Sequence, residues 1–396
     1  MTEENTGAMP PRPRARLSWN DPGLRALVYQ VVVVALVALT AWYLVSNTLH
    51  NLAARNISTG FAFLDREAGF AIGETPIDYT PADSYRRAIV VGLLNTLRVS
   101  LIALVLATVL GTLVGVARLS GNWLVSRLAA AYVECVRNVP LLLQLLLWYA
   151  LISESMPGPR AAHHPLPGVY LSNRGLLMPA LLGDSLAWMV GALAVAGAGT
   201  FLLARWSKRR QALTGHPMAL APWAAALFAG LPVLAWALSG AQLSMEVPHP
   251  SGFGFAGGWN LSPELFALLV GLVSYTAAFI AEIVRSGVQS VNRGQWEAAE
   301  SLGLRRGRSL RLVVLPQALR VMVPPATSQY LNLVKHSSLA VAIGYPDLVS
   351  VVNTTLNQTG QAIEGILIIM AAFMTVSLCI SLAMNAYNRR IALVER

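Results

Sequence analysis

Residues 297–316, EAAESLGLRRGRSLRLVVLP, break into a chain that is otherwise mostly apolar. Glu297, Ala298 and Ala299 open the stretch. Gly303 interrupts it, four arginines follow, and Leu315-Pro316 closes it. These residue types supply no nucleophile and no acid–base pair. What they can do is dock. Residues 295–302 are good helix formers, with Glu297 expected in the first turn, where a carboxylate complements the helix dipole. Gly303 is placed to end that helix in a left-handed cap. A second short helix is expected over 305–315, and Pro316 then starts the next apolar helix, where its missing N–H costs little. The small face of Ala298 and Ala299 admits close approach by another protein. Taken alone, the pattern also suits an interfacial hairpin held by anionic lipid.

A second constellation follows at once. At 100° per residue, Ser328, Gln329, Asn332, Lys335 and His336 fall on one helical face. An amide and an ammonium in an apolar run need partners. The stripe reads as the lining of a polar path or as a contact with another helix. Pro324-Pro325 just before it frees backbone carbonyls, which is tolerated where protein or a cavity covers them. Two other basic residues, Arg98 and Arg137, remain within apolar runs, and each is costly there. Glu134 with Arg137, and Glu282 with Arg285, are three residues apart and can pair on one helix face. Arg98 has no local partner and joins the candidate path. Glu364 opens the last apolar run and reads as interfacial. His163 and His164 adjoin, but no further ligand stands at metal spacing.

The elements that must position these residues are membrane helices. Of 396 residues, 55% are hydrophobic and 12% charged, against about 25% charged in soluble domains. A net charge of +10 raises nucleic acid as a partner. Lys and Arg held in cytoplasmic loops account for it better, so no nucleic acid is expected. Cys135 and Cys379 both lie in apolar runs and are expected as free thiols. The apolar run 27–45 follows Arg12, Arg14 and Arg16. It exceeds the ~7–15 residues of a signal-peptide core, and reads as an uncleaved first span.

Eight spans are expected, near 26–46, 88–117, 128–152, 186–205, 219–240, 262–287, 317–342 and 362–387. Both termini inside leaves only Arg55, Arg66, Arg86, Arg87, Arg160 and Arg174 outside, the bias that cytoplasmic loops require. That orientation needs an even number of spans, which supports counting the weakly apolar seventh. Gly111 and Gly115 form a small-xxx-small pair suited to close helix contact.

The 20-residue stretch resembles the EAA loop of ABC importer permeases. Glu297, Ala298, Ala299, Gly303, Leu315 and Pro316 stand in the family's spacing, with Val313 where Ile is frequent. "AEIVRSGVQSVNRGQWEAAESLGL", "VLPQALRVMVPP", "LLNTLRVSLIALVLATVLGTLVGVARLS", "VECVRNVPLLLQLLLWY" and "KHSSLAVAIGYPDL" look like the polar amino acid branch. The greatest similarity is to the larger membrane subunits of general L-amino acid systems. It covers roughly 60–155 and 262–392.

The resemblance implies an all-α polytopic fold of about eight helices with a MetI-like permease core. On it, 1–25 is a cytoplasmic basic tail, and 26–87 is the first span with a periplasmic loop. The permease domain is 88–392, with 156–261 an inserted two-helix region and 293–316 the cytoplasmic coupling loop. The implied setting is the bacterial inner membrane. The implied partners are ABC ATPase subunits, a second and sibling permease subunit, and a periplasmic amino-acid-binding protein. No Gly-x-x-x-x-Gly-Lys-Ser/Thr loop is present. The chain is therefore read as a transport subunit without enzyme activity or cofactor, its ATP bound by a partner. An amino acid zwitterion would bring a carboxylate and an ammonium to the stripe. The rival readings are an ion-coupled secondary transporter and a membrane enzyme. Neither explains the EAA loop.

Overall fold

The computed structural model describes residues 22–54, 60–183, 185–215, 218–240, 244–252 and 254–391. The arginines of the N-terminal tail, Arg12, Arg14 and Arg16, lie outside the described residues, as do Arg55 and Arg396. The first helix, α1 (Pro22–Ala54), buries none of its apolar stretch. α2 (Tyr85–Arg118) is capped by Ser84, whose side chain accepts from the Arg87 N–H.

The third expected span, 128–152, is corrected. It forms two helices, α3 (Trp123–Asn138) and α4 (Leu141–Ser153), which meet at 104°. Pro140 sits at the bend, and a prolyl ring cannot continue the hydrogen-bond ladder of the preceding helix. Gln144 Nε2 donates to the carbonyls of Val136 (2.8 Å) and Val139 (2.9 Å), which the break would leave bare.

The region 156–261 holds the expected helices, α5 (Ser185–Thr214) and α6 (Leu220–Leu238). It also carries strands that a two-helix, all-α reading did not foresee. A four-stranded antiparallel sheet runs in the order β1 (His163–Leu166), β2 (Val169–Ser172), β3 (Gly175–Met178), β8 (Trp259–Leu261). Two hairpins accompany it, β4 (Ala180–Leu182) with β5 (Ser244–Glu246) and β6 (His249–Ser251) with β7 (Gly254–Ala256). These segments are short and lie between glycine turns. Backbone groups there must pair somewhere, and strands of three or four residues are enough.

α7 (Pro263–Gln289) is the hub of the bundle. Along α2 it approaches so closely that a Cβ on Gly111 would stand 2.8 Å from the Ala277 carbonyl, and one on Gly115 2.8 Å from that of Ala281. The expected close contact at these glycines is borne out. Gly271 admits Leu145 of α4 in the same way. The buried core between these helices includes Val99, Ala103, Leu145, Leu265, Leu268 and Leu272.

After α7 come α8 (Arg293–Ser301), α9 (Arg306–Ser309), a π turn at Leu310–Val314, and α10 (Leu315–His336). α9, the π turn, α10 and a 3₁₀ segment to Ile343 run on as one length, Arg306–Ile343. Pro316 therefore lies inside a continuous helix and does not start it. The π turn just before it widens the helix, which relaxes the clash of the proline ring with the preceding turn. At Gly344 (φ +79°) the chain turns by 52° into α11 (Leu348–Thr359), then α12 (Ala362–Ile391). Among the described residues, six helices are long and apolar enough to cross a bilayer, and each bent pair supplies one more. The eight expected spans are accommodated, two of them broken.

Candidate functional site

The segment between α7 and α10 folds as a hinged pair. Asn292 caps α8, its Oδ1 accepting from the Gly294 N–H at 2.8 Å. At the other end Gly303 takes φ +73°. Its N–H reaches the Glu300 carbonyl (2.8 Å), and the Leu304 N–H reaches that of Ala299 (3.2 Å). This is the double-bonded helix stop that only a left-handed residue can make. Ser309, fully buried, donates from Oγ to the Leu304 carbonyl at 3.3 Å and closes the far side of the turn.

Two expectations need correction. α8 begins at Arg293, so Glu297 falls past its first turn and the dipole gives it little. Ala298 faces out, but Ala299 is buried within the loop's own fold, because the Schellman turn folds back over it. The outward surface is thus Glu297, Ala298, Leu302 and Gly303, with Leu302 80% exposed. An apolar side chain bare at a loop tip is suited to a protein groove. Inward, Trp296 packs with Val291, Val314, Ala318 and Met322. Gln317 Nε2 of α10 donates to Gln295 Oε1 of α8 at 3.2 Å. Leu315 and Pro316 are exposed beside this cluster. A force on α8 therefore reaches α10 through packed side chains.

On α10, Ser328, Asn332 and Lys335 point outward in one line, and Leu333 and Val334 turn inward. Gln329 and His336 flank that line half-buried, with His336 edge-on to Tyr275 at 5.7 Å between ring centres. Among the described residues, no hydrogen bond engages the side chains of Ser328, Gln329, Asn332 or Lys335. The structure brings these together as an open polar face. Arg98 Nη1 donates to Glu74 of the loop before α2 at 3.4 Å, and the guanidinium lies 5.8 Å from the centre of the Trp259 ring. Burial pushes the Glu74 carboxyl above its usual range. A hydrogen bond from Ser262 Oγ and the charge of Arg98 oppose that shift. Arg98 therefore has a partner that its own helix does not supply. Arg137 likewise stacks over Phe279 at 4.9 Å in place of pairing with Glu134. Glu282 and Arg285 do pair.

A family model described as "Binding-protein-dependent transport system inner membrane component" matches residues 107–393. Permease protein YhdX of Escherichia coli (strain K12), assigned to amino-acid ABC transport, is 51% identical over 97% of this chain and 98% of its own. The chain belongs to the amino-acid ABC transporter permeases.

Two further relatives agree along almost their whole lengths. The general L-amino acid transport system permease protein AapQ of Rhizobium johnstonii is 44% identical over 96% of both chains. The glutamate/glutamine/aspartate/asparagine transport system permease protein BztB of Rhodobacter capsulatus is 41% identical over 98% of this chain and 99% of its own. Membership makes the permease a membrane-spanning transport component that works with a solute-binding protein and an ABC ATPase.

Several contacts of this permease escaped the sequence reading. Arg118 of α2 donates to Glu282, alongside the Arg285 pair. Asn95 Nδ2 donates to the carbonyls of Glu74 (2.8 Å) and Pro346 (2.9 Å). Glu364 is buried and accepts from the Gly60 N–H at 2.7 Å, so it is a structural anchor and not an interfacial charge. The Thr108 and Tyr330 hydroxyls stand 3.1 Å apart and join α2 to α10. Each of these contacts spans a large sequence separation. Their only signal in the sequence is a polar residue in an apolar run.

Proposed function

We propose that this permease carries amino acids inward across the bacterial inner membrane as one of two unlike membrane subunits. It receives them from a periplasmic binding protein, and an ATPase docked on residues 293–316 drives it. Both termini are cytoplasmic. The hinged loop carries the reading: Leu302 and Ala298 are bare outside it, and Trp296 and Gln295 grip α10 inside it. A lipid-held hairpin has no need of that inner grip.

The stripe Ser328, Gln329, Asn332, Lys335 and His336 forms the solute path, with Lys335 nearest the solute carboxylate. A polar face left open in the membrane needs either solute, water or a second subunit against it.

Proteoliposomes holding the permease with its ATPase, sibling and binding protein test the reading. Uptake should need ATP and survive collapse of ion gradients. Lys335→Met should cut uptake by about tenfold or more, as loss of a charged partner worth 1.5–3 kcal/mol implies, with the complex still assembled. Cysteines replacing Leu166 and Leu213, both exposed, should label from outside and inside respectively. Uptake driven by an ion gradient alone, or Lys335→Met failing in assembly before transport, would refute the corresponding part.

A further inference from the structure

α2 joins the two ends of the permease. At its inner end Arg118 donates to the Glu282 carboxylate, which also accepts from Arg285 Nε at 3.2 Å. Arg285 Nη1 in turn donates to Oε1 of Gln289, the last residue of α7 and the start of the link to Asn292. Ser126 Oγ donates to the Arg118 carbonyl at 3.0 Å, so the α2–α3 turn is held at the same joint. The Arg118 and Glu282 side chains are 12% and 25% exposed. Such a pair is little screened, and Arg118 alone ties α2 to α7 through it, while Arg285, on α7 itself, holds the carboxylate in place.

At its outer end α2 holds the segment between Gly344 and α11. Asn95 Nδ2 donates to the Pro346 carbonyl at 2.9 Å, and Thr96 Oγ1 accepts from the Leu348 N–H at 3.0 Å. Asn95 also holds the Glu74 carbonyl of the outer loop. Between the two joints, Gly111 and Gly115 leave no room for a methyl group against α7. From Thr96 to Arg118 the helix is unbroken, a rod of about 33 Å at 1.5 Å per residue.

We infer that α2 and α7 move as one stiff member during transport, and that Glu282 is the positioning residue passing displacement of the 293–316 loop to the outer segment 344–348. Glu282 touches neither ATP nor solute. It acts by preventing α7 from slipping along α2 when the loop is driven. The inference rests on the reading of 293–316 as an ATPase-coupling loop.

The test uses the assembled complex in nanodiscs, with Cys135 and Cys379 replaced by alanine and a single reporter cysteine at the exposed Asn353 of α11. Labelling of that cysteine by an impermeant maleimide is compared with and without ATP and vanadate. Glu282→Gln should reduce the ATP-dependent change by about fivefold or more, the usual size of a coupling between distant sites. Basal ATP hydrolysis should persist. Thr96→Val should do the same. The double variant should be no worse than the more severe single, whereas independent sites this far apart add. Arg118→Met, which leaves Glu282 paired with Arg285, substitutes if Glu282→Gln fails to assemble.

A full ATP-dependent change in Glu282→Gln or Arg118→Met overturns the inference, and so does additivity of the two joints. If the complex with only the reporter shows no ATP-dependent labelling, the coupling-loop reading fails, and the inference with it.

Discussion

α2 with α7, and α5 with α6, are both pairs of long apolar helices lying side by side, and both contain glycines. The glycines behave in opposite ways. In α2, Gly111 and Gly115 mark the places where one backbone presses on the other. In the second pair, Gly191, Gly197 and Gly230 face nothing within 4 Å, and Gly199 meets only the Leu227 side chain, at an ordinary 3.4 Å. Instead, α5 and α6 leave an apolar cleft of about 890 Å³ along Trp188, Val195, Leu231 and Leu238. The first pair also carries charges that bind one helix to the other, whereas most of the second is bare on its outward faces. Apolar length alone therefore does not mark machinery. Close backbone approach with a polar joint at each end sets α2 with α7 apart.

The contrast can be broken by one substitution made twice. Gly115→Ala puts a methyl 2.7 Å from Val284 Cβ and 2.8 Å from a backbone carbonyl. Neither can retreat without parting the helices, so stability should fall by about 1–3 kcal/mol, as overpacking does. Gly230→Ala meets open space and removes a poor helix former, so it should hold steady or gain up to ~1 kcal/mol. Thermal unfolding of the two variants in one detergent compares them. Equal effects at both sites would dissolve the distinction between core and outlying pair.

A smaller effect sharpens the boundary of the core where the chain enters α2. Asp83 Oδ2 accepts from the Thr80 N–H (2.7 Å) and hydroxyl (3.1 Å). These bonds, the backbone N–H first, hold its carboxyl below the ordinary value of 3.8. The ionised form is the one the fold favours. The contribution is complete above 3.8 and fades as pH falls through the lowered pKa. Amide exchange at Thr80 should therefore accelerate only below that range. In Asp83→Asn, which keeps an acceptor without the charge, the acid response should vanish. An unchanged acid response in Asp83→Asn would assign it to another group.

What could be read from the sequence was what is local. The Gly303 stop, the two-part loop and the α2 glycine face depend on neighbours within a turn or two, and all appear where expected. The fracture at Pro140 was visible as a proline, but the apolar run around it reads equally as one span. Arg98 was assigned to the path because Glu74 lies 24 residues away in a loop without periodicity. The strands between His163 and Leu261 were missed because runs of three or four residues carry too few alternations to register. The open line Ser328, Asn332 and Lys335 survived from pattern to structure because helical spacing alone sets it.

The central claim is that the hinged loop takes up the ATPase stroke, and Gly303 tests it most directly. Nothing lies within 4 Å of a Cβ there, so a substitution changes the backbone and not the packing. A left-handed conformation costs an ordinary residue about 1–2 kcal/mol, while asparagine adopts it readily. Binding-protein-stimulated ATP hydrolysis should be lost in Gly303→Val and kept in Gly303→Asn, both in assembled complexes. Full stimulation in Gly303→Val, with uptake intact, would contradict the account.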